Sequence, residues 1–147
     1  MHGFWLLIHL LGVIVWVGGM FFALYCLRPV AHGLPPPQRV PLMIAVFERF
    51  FGFVIVALIM LWVSGLILLR PAATAGMPIG WHLMIGAAII MTVVFAVIRW
   101  RIFPLARQTA KQSDLPAAGA ALERIRRLVL VNLVLGGLAI AAVKLLA

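Results

Sequence analysis

Two histidines inside apolar stretches are the residues of this sequence best suited to chemistry. His9 begins the stretch HLLGVIVWVGGMFFALYCLRP, and His82 lies near the start of another, GWHLMIGAAIIM. An ionisable side chain is expensive to keep inside a bilayer, and it therefore marks a candidate functional site. Imidazole is an axial ligand of haem iron and also binds copper. The two histidines predict a haem or metal site, and the alternative is that each one hydrogen-bonds a neighbouring helix.

The composition is that of an integral membrane protein. Of the 147 residues 66% are hydrophobic and 10% charged, with a mean hydropathy of +1.22, whereas a soluble domain is about 45–50% apolar and about 25% charged. The net charge of +9 lies beside apolar segments, where membrane topology explains it better than nucleic acid does. No basic residue precedes the first apolar run, so we expect it to be a membrane span rather than a cleaved signal.

Roughly 20 apolar residues cross the hydrocarbon core of a bilayer, and four segments of one domain, residues 1–147, meet this requirement. They are residues 3–27, 47–69, 79–103 and 128–146, separated on one side by loops 28–46 and 104–127. Proline cannot continue a helix without losing a hydrogen bond, so Arg28-Pro29 is expected to end the first span. Ser113-Asp114 followed by Pro116 is typical of a helix start, here leading into the fourth span. The sequence predicts an all-α, four-helix membrane bundle.

The distribution of basic residues predicts the orientation. Segments 28–49 and 99–127 contain ten arginines and lysines, whereas the termini and segment 70–78 contain two. Because positive charge is retained in the cytoplasm, both termini are predicted to be periplasmic in a multi-pass protein of the bacterial inner membrane.

This topology places both histidines near the periplasmic ends of their spans. At ~1.5 Å per residue their depths differ by only about 5 Å, which suits a haem held between two imidazoles. Small or flat residues share the helix faces of the histidines and are predicted pocket walls: Gly12, Trp16 and Gly19 in the first span, and Gly86 in the third. Close helix packing is the alternative role for these glycines. Arg70 is predicted either to pair with haem propionates or to extend to the membrane interface.

A methionine near the second histidine supports a copper alternative. Met84 lies two residues after His82, and thioether sulfur is a good ligand for Cu(I). Met84 is therefore a candidate copper ligand with the two histidines, or an alternative axial ligand of haem. The spans contain no carboxylate pair, nucleotide-binding loop or nucleophile–base set, which excludes hydrolase and nucleotide-driven mechanisms.

Four stretches carry a resemblance to a known family. HLLGVIVWVGGMFFALYCLRPVA, FERFFGFVIVALIMLWVSGLILL, GWHLMIGAAIIM and ERIRRLVLVNLVLGG resemble the small bacterial members of the CopD family of inner-membrane proteins, and the chain is distantly similar to HemJ. The resemblance maps His9 and His82 onto the histidines of the family's first and third helices, and Met84 stands where similar proteins carry a further histidine. It implies copper resistance or uptake, or a haem-binding protoporphyrinogen oxidase.

The sequence therefore favours a haem b-binding membrane protein, with His9 and His82 as iron ligands near the periplasmic face. We expect electron transfer or another oxidoreductase reaction with a quinone, a porphyrinogen or another small redox partner. Copper binding or transport is the first alternative, and a HemJ-type protoporphyrinogen oxidase is the second. The large apolar surface and the glycine-bearing faces favour a homodimer.

Overall fold

Four long helices make up the protein. A computed structural model describes residues 1–71 and 76–146, and this part of the chain contains helices and short turns but no strand. Each helix is long and apolar enough to cross a membrane: α1 His2–Ala31, α2 Pro36–Leu69, α3 Ile79–Lys111 and α4 Leu115–Leu145. The predicted all-α class and the four helices are confirmed. The periplasmic location of both termini stays a prediction.

The helices pack as two close pairs, α1 with α2 and α3 with α4. Aromatic side chains join the pairs in the interior. The ring of Phe51 on α2 lies edge-on to Phe95 and Phe103 of α3, with centroid distances of 5.7 and 5.1 Å. Trp16 of α1 reaches the same Phe95, at 6.4 Å. Because aromatic rings prefer such edge-to-face contacts, this cluster fixes how the first three helices meet.

Three prolines lie inside helices rather than at their starts: Pro29 in α1, Pro41 in α2 and Pro104 in α3. α1 continues past Arg28-Pro29 to Ala31, and α3 continues past Pro104; the position at which the first span leaves the membrane stays a prediction. Pro29 and Pro104 each lie just after a wider π-helical turn, separated from it by a single residue. The turns are Ala23–Leu27 before Pro29 and Ile98–Ile102 before Pro104. Proline lacks an N–H and its ring crowds the carbonyl four residues earlier. A π turn changes the register of that carbonyl, which explains why the helix can continue.

The start of α4 follows the sequence pattern. The Asp114 carboxylate accepts a hydrogen bond from the backbone N–H of Ala117 at 3.3 Å, and Pro116 occupies the first turn. The helix then runs without a break to Leu145. Residues 115–127, which precede the predicted fourth span, therefore form one continuous helix with that span.

The start of α3 and the end of α4 approach each other very closely at Gly80. Its N–H donates a hydrogen bond to the carbonyl of Leu146 at 3.3 Å. A methyl group at position 80 would collide with the carbonyl oxygen of Ala142, whereas one at Gly86 would meet no atom within 4 Å. Only glycine allows the backbone of α3 to approach α4 in this way.

We expect Gly80→Ala to lower the unfolding free energy by about 1–3 kcal/mol, since overpacking against a rigid backbone forces the helices apart. Gly86→Ala is the matched control on the same helix, and it should be neutral or stabilising because alanine is the better helix former. Thermal unfolding in detergent, followed by circular dichroism, compares the two. Equal melting temperatures would contradict this close approach.

Candidate functional site

His9 is held in place by a buried serine on the neighbouring helix. Its Nδ1 lies 3.0 Å from Oγ of Ser64, and Ser64 is fully buried. The Ser64 hydroxyl is also 2.5 Å from the carbonyl oxygen of Met60. Two oxygens this close require a proton between them, so the hydroxyl donates to Met60 and accepts from His9.

This chain of hydrogen bonds determines which nitrogen of His9 carries the proton. Since Ser64 accepts from Nδ1, the neutral imidazole has its proton on Nδ1 and a lone pair on Nε2. A partner on one ring nitrogen commonly orients a histidine whose other nitrogen binds a metal. The ring also lies over Gly65, where an added methyl group would stand 3.4 Å from Cε1. His9 is thus an oriented imidazole at the α1–α2 interface, and its role as a ligand stays a prediction.

His82 has a different partner and a different environment. It is exposed, and its Nδ1 lies 3.1 Å from the carbonyl of Pro78 on the same helix. Met91, nine residues later, is buried in the core. Nine residues at 3.6 per turn correspond to a half-turn offset, so His82 faces outward from the bundle. Met84, seven residues before Met91, lies on the inward face and is half-buried.

The structure therefore gives His9 and His82 separate partners. As at His9, a carbonyl acceptor at Nδ1 leaves the Nε2 lone pair of His82 free for a ligand. Their joint ligation of one haem or one metal ion stays a prediction. Arg70 is exposed at the end of α2, and its pairing with propionates also stays a prediction.

The space that the sequence suggested for a macrocycle on α1 is filled by side chains of α2. A methyl group on Gly12 would stand 2.8 Å from Cγ of Leu61, and one on Gly19 would collide with the ring of Phe50. Trp16, between them, is itself core, with 4% of its surface exposed. These residues serve close helix packing, which was the alternative role for them. A haem beside His9 would have to displace this packing.

Two buried polar residues form hydrogen bonds between helices. Ser64 is the direct partner of His9. Asn132, also buried, donates from Nδ2 to the carbonyl of Met91 at 3.0 Å, linking α4 to α3. Its Oδ1 has no hydrogen-bond partner in the part of the chain that the structure describes. The available signal was their rarity, since each is a polar residue deep within an apolar run.

The donor set restricts the kind of metal site. Among residues 1–71 and 76–146, no group of three or more His, Cys, Asp or Glu side chains lies together. A copper site in this region would therefore have at most two such side chains, and methionine thioether is the other soft donor that the helices offer. Soft ligands of this kind favour the monovalent ion.

Four apolar helices define a multi-pass inner-membrane protein, and one oriented histidine lies at the interface of two of them. Residues 44–146 match the family model described as CopD, copper resistance protein D. The chain belongs to the CopD family. The matched segment includes Ser64, His82 and Met84 but begins after His9. No curated protein and no solved structure matches the chain, and the similarity to HemJ stays a prediction.

We expect His9 to occupy a single tautomer, with the proton on Nδ1, in the intact protein. In Ser64→Ala that orienting acceptor is lost, and the two tautomers should become mixed. Nitrogen-15 NMR of histidine-labelled protein in nanodiscs distinguishes them, with Ser113→Ala as a control serine outside the bundle core. A proton on Nε2 of His9 in the unsubstituted protein would refute the assignment.

Proposed function

We propose that this protein binds copper within the membrane through Nε2 of His9 and takes part in copper resistance or uptake. The observation that carries the proposal is the hydrogen-bonded chain His9–Ser64–Met60, considered with membership of the CopD family. This chain holds the imidazole proton on Nδ1 and orients Nε2 for a ligand. Copper here is the transported or sequestered ion.

The further ligand that we propose for the ion at His9 is Met84, and we assign His82 a separate role as an outer imidazole that first meets the ion. Met84 lies on the inward face of α3 and offers a thioether. His82 has its Nε2 free at the outer surface near the start of the same helix. A histidine with one or two soft or nitrogen ligands favours Cu(I), which accepts low coordination numbers. By the charge distribution of the loops, this end of the bundle is periplasmic, so copper would enter from that side.

Haem b is the rival ligand, and redox chemistry with a quinone or a porphyrinogen is its consequence. The helix packing speaks against it, because Leu61 fills the space at Gly12, one turn from His9, and Phe50 fills the space at Gly19 further along the same helix. The family described for copper resistance also favours the metal over the macrocycle. Copper is therefore the function that we put forward, and the experiment below separates the two.

We expect the full-length protein in detergent to compete with a chromophoric chelator for Cu(I), and His9→Ala to weaken that binding by at least about tenfold. Ser64→Ala should weaken it by about 10–100-fold, the usual effect of losing the group that orients a metal-binding histidine. His2→Ala, at the exposed start of α1, is the control and should bind like the unsubstituted protein.

Two results would overturn the copper proposal. One is Cu(I) binding that His9→Ala leaves unchanged. The other is a purified protein with a Soret absorption band that disappears in His9→Ala or His82→Ala, which would establish haem as the ligand.

A further inference from the structure

The opposite end of the bundle contains a second candidate site, unrelated to His9. A cavity of about 100 Å³ lies between α1, α2 and α4, at the end where the α1–α2 turn is located. Its floor is apolar and includes Met43, Phe47 and Val129. Its rim carries nearly all the polar lining: Arg28, Arg39, Arg126, His32 and Glu123. A cavity with an apolar floor and a charged rim is suited to an amphipathic ligand at a membrane surface.

The charges of the rim do not balance. Glu123 is shared between Arg28, at 2.7 Å, and Arg126, at 2.6 Å. Both of these cations are therefore only partly compensated by one carboxylate. The half-buried Arg39 adds a third guanidinium to the same cavity. Three fixed cations facing one anion create a positive potential in a confined space.

The chain has no further acid to neutralise Arg39. It contains three acidic side chains, and the other two bind elsewhere. Glu48 pairs with Arg107 at 3.1 Å, and Asp114 caps the start of α4. Arg39 is therefore available to pair with a negative charge from outside the protein.

The cations of the rim also act on His32. Partial desolvation and the nearby Arg28 and Arg39 cations lower its pKa below the ordinary value, and the opposing effect of Glu123 is smaller. A neutral imidazole on this rim adds a hydrogen-bonding group without adding to the repulsion among the arginines. The rim is thus equipped to donate several hydrogen bonds to one anion.

We propose that this cavity binds a phosphate group through Arg39, Arg28 and Arg126. Arginine forms paired hydrogen bonds with phosphate oxygens, and the cavity of about 100 Å³ has room for one such group. Basic pockets between membrane helices on the cytoplasmic side are suited to anionic headgroups. The phosphate belongs either to an anionic lipid or to a soluble phosphate compound, and the apolar floor favours the lipid.

The test uses the full-length protein in nanodiscs of phosphatidylcholine, with or without phosphatidic acid, and separately with inorganic phosphate added in solution. Native mass spectrometry counts the lipid retained after release from the nanodisc, and thermal unfolding reports stabilisation by either anion. Arg39→Gln removes the cation that lacks a carboxylate partner without breaking an ion pair of Glu123. Arg49→Gln is the matched control, since it removes the same charge from the same helix outside the cavity.

We expect retention of phosphatidic acid to fall about tenfold or more in Arg39→Gln, as for the loss of a charged hydrogen bond, and to be unchanged in Arg49→Gln. Arg39→Lys, which keeps the charge but not the paired geometry, should be intermediate and guards against a folding defect in the glutamine variant. Stabilisation by inorganic phosphate alone, lost in Arg39→Gln, would support the site and identify a soluble ligand. Equal loss in Arg39→Gln and Arg49→Gln, or no effect of either anion, would overturn the proposal.

Discussion

The absence of water around the four helices is the constraint on which the rest of this structure depends. Backbone groups are satisfied within the helices, and a polar side chain finds its partner either on a carbonyl of its own helix or on a neighbouring helix. Three such bonds connect the bundle in sequence order: His9 to Ser64 between α1 and α2, Trp62 to Thr92 at 3.2 Å between α2 and α3, and Asn132 to the Met91 carbonyl between α4 and α3. The same need for a partner that stabilises the bundle also orients the imidazole of His9. Structure and candidate function thus depend on one hydrogen bond.

Small residues have a corresponding role in packing. Helices in a bilayer gain little from the hydrophobic effect and associate through close van der Waals contact, for which glycine is suited. Gly12 and Gly19 allow α2 to lie directly against α1, and Gly80 allows α3 to approach the end of α4. A glycine that is used for contact between helices does not also provide space for a cofactor. This is the physical reason why a flat macrocycle beside His9 conflicts with the structure, whereas a single metal ion needs only the Nε2 lone pair and one or two soft ligands.

The scarcity of acidic residues shapes the other end of the bundle. With twelve arginines and lysines and three acidic side chains, each carboxylate has a structural task. Glu123 connects α4 to α1 through Arg28 and also binds Arg126 on its own helix. Arg28, which the sequence predicts as the end of the first span, also forms a contact between helices. The surplus of cations around the cavity is the physical basis for the phosphate site.

The sequence by itself determined the class of protein, the four helices and the beginning of α4 at Asp114, because these follow from composition, from the length of apolar runs and from capping groups a few residues away. It also identified His9 as a candidate ligand, because an imidazole in an apolar run is costly. Only the tertiary structure decided what His9 and His82 face. Periodicity shows which residues share one face of a helix, but the neighbour of that face depends on how four helices pack together. That packing placed Ser64 against His9, directed His82 outward and filled the faces of Gly12 and Gly19 with side chains of α2.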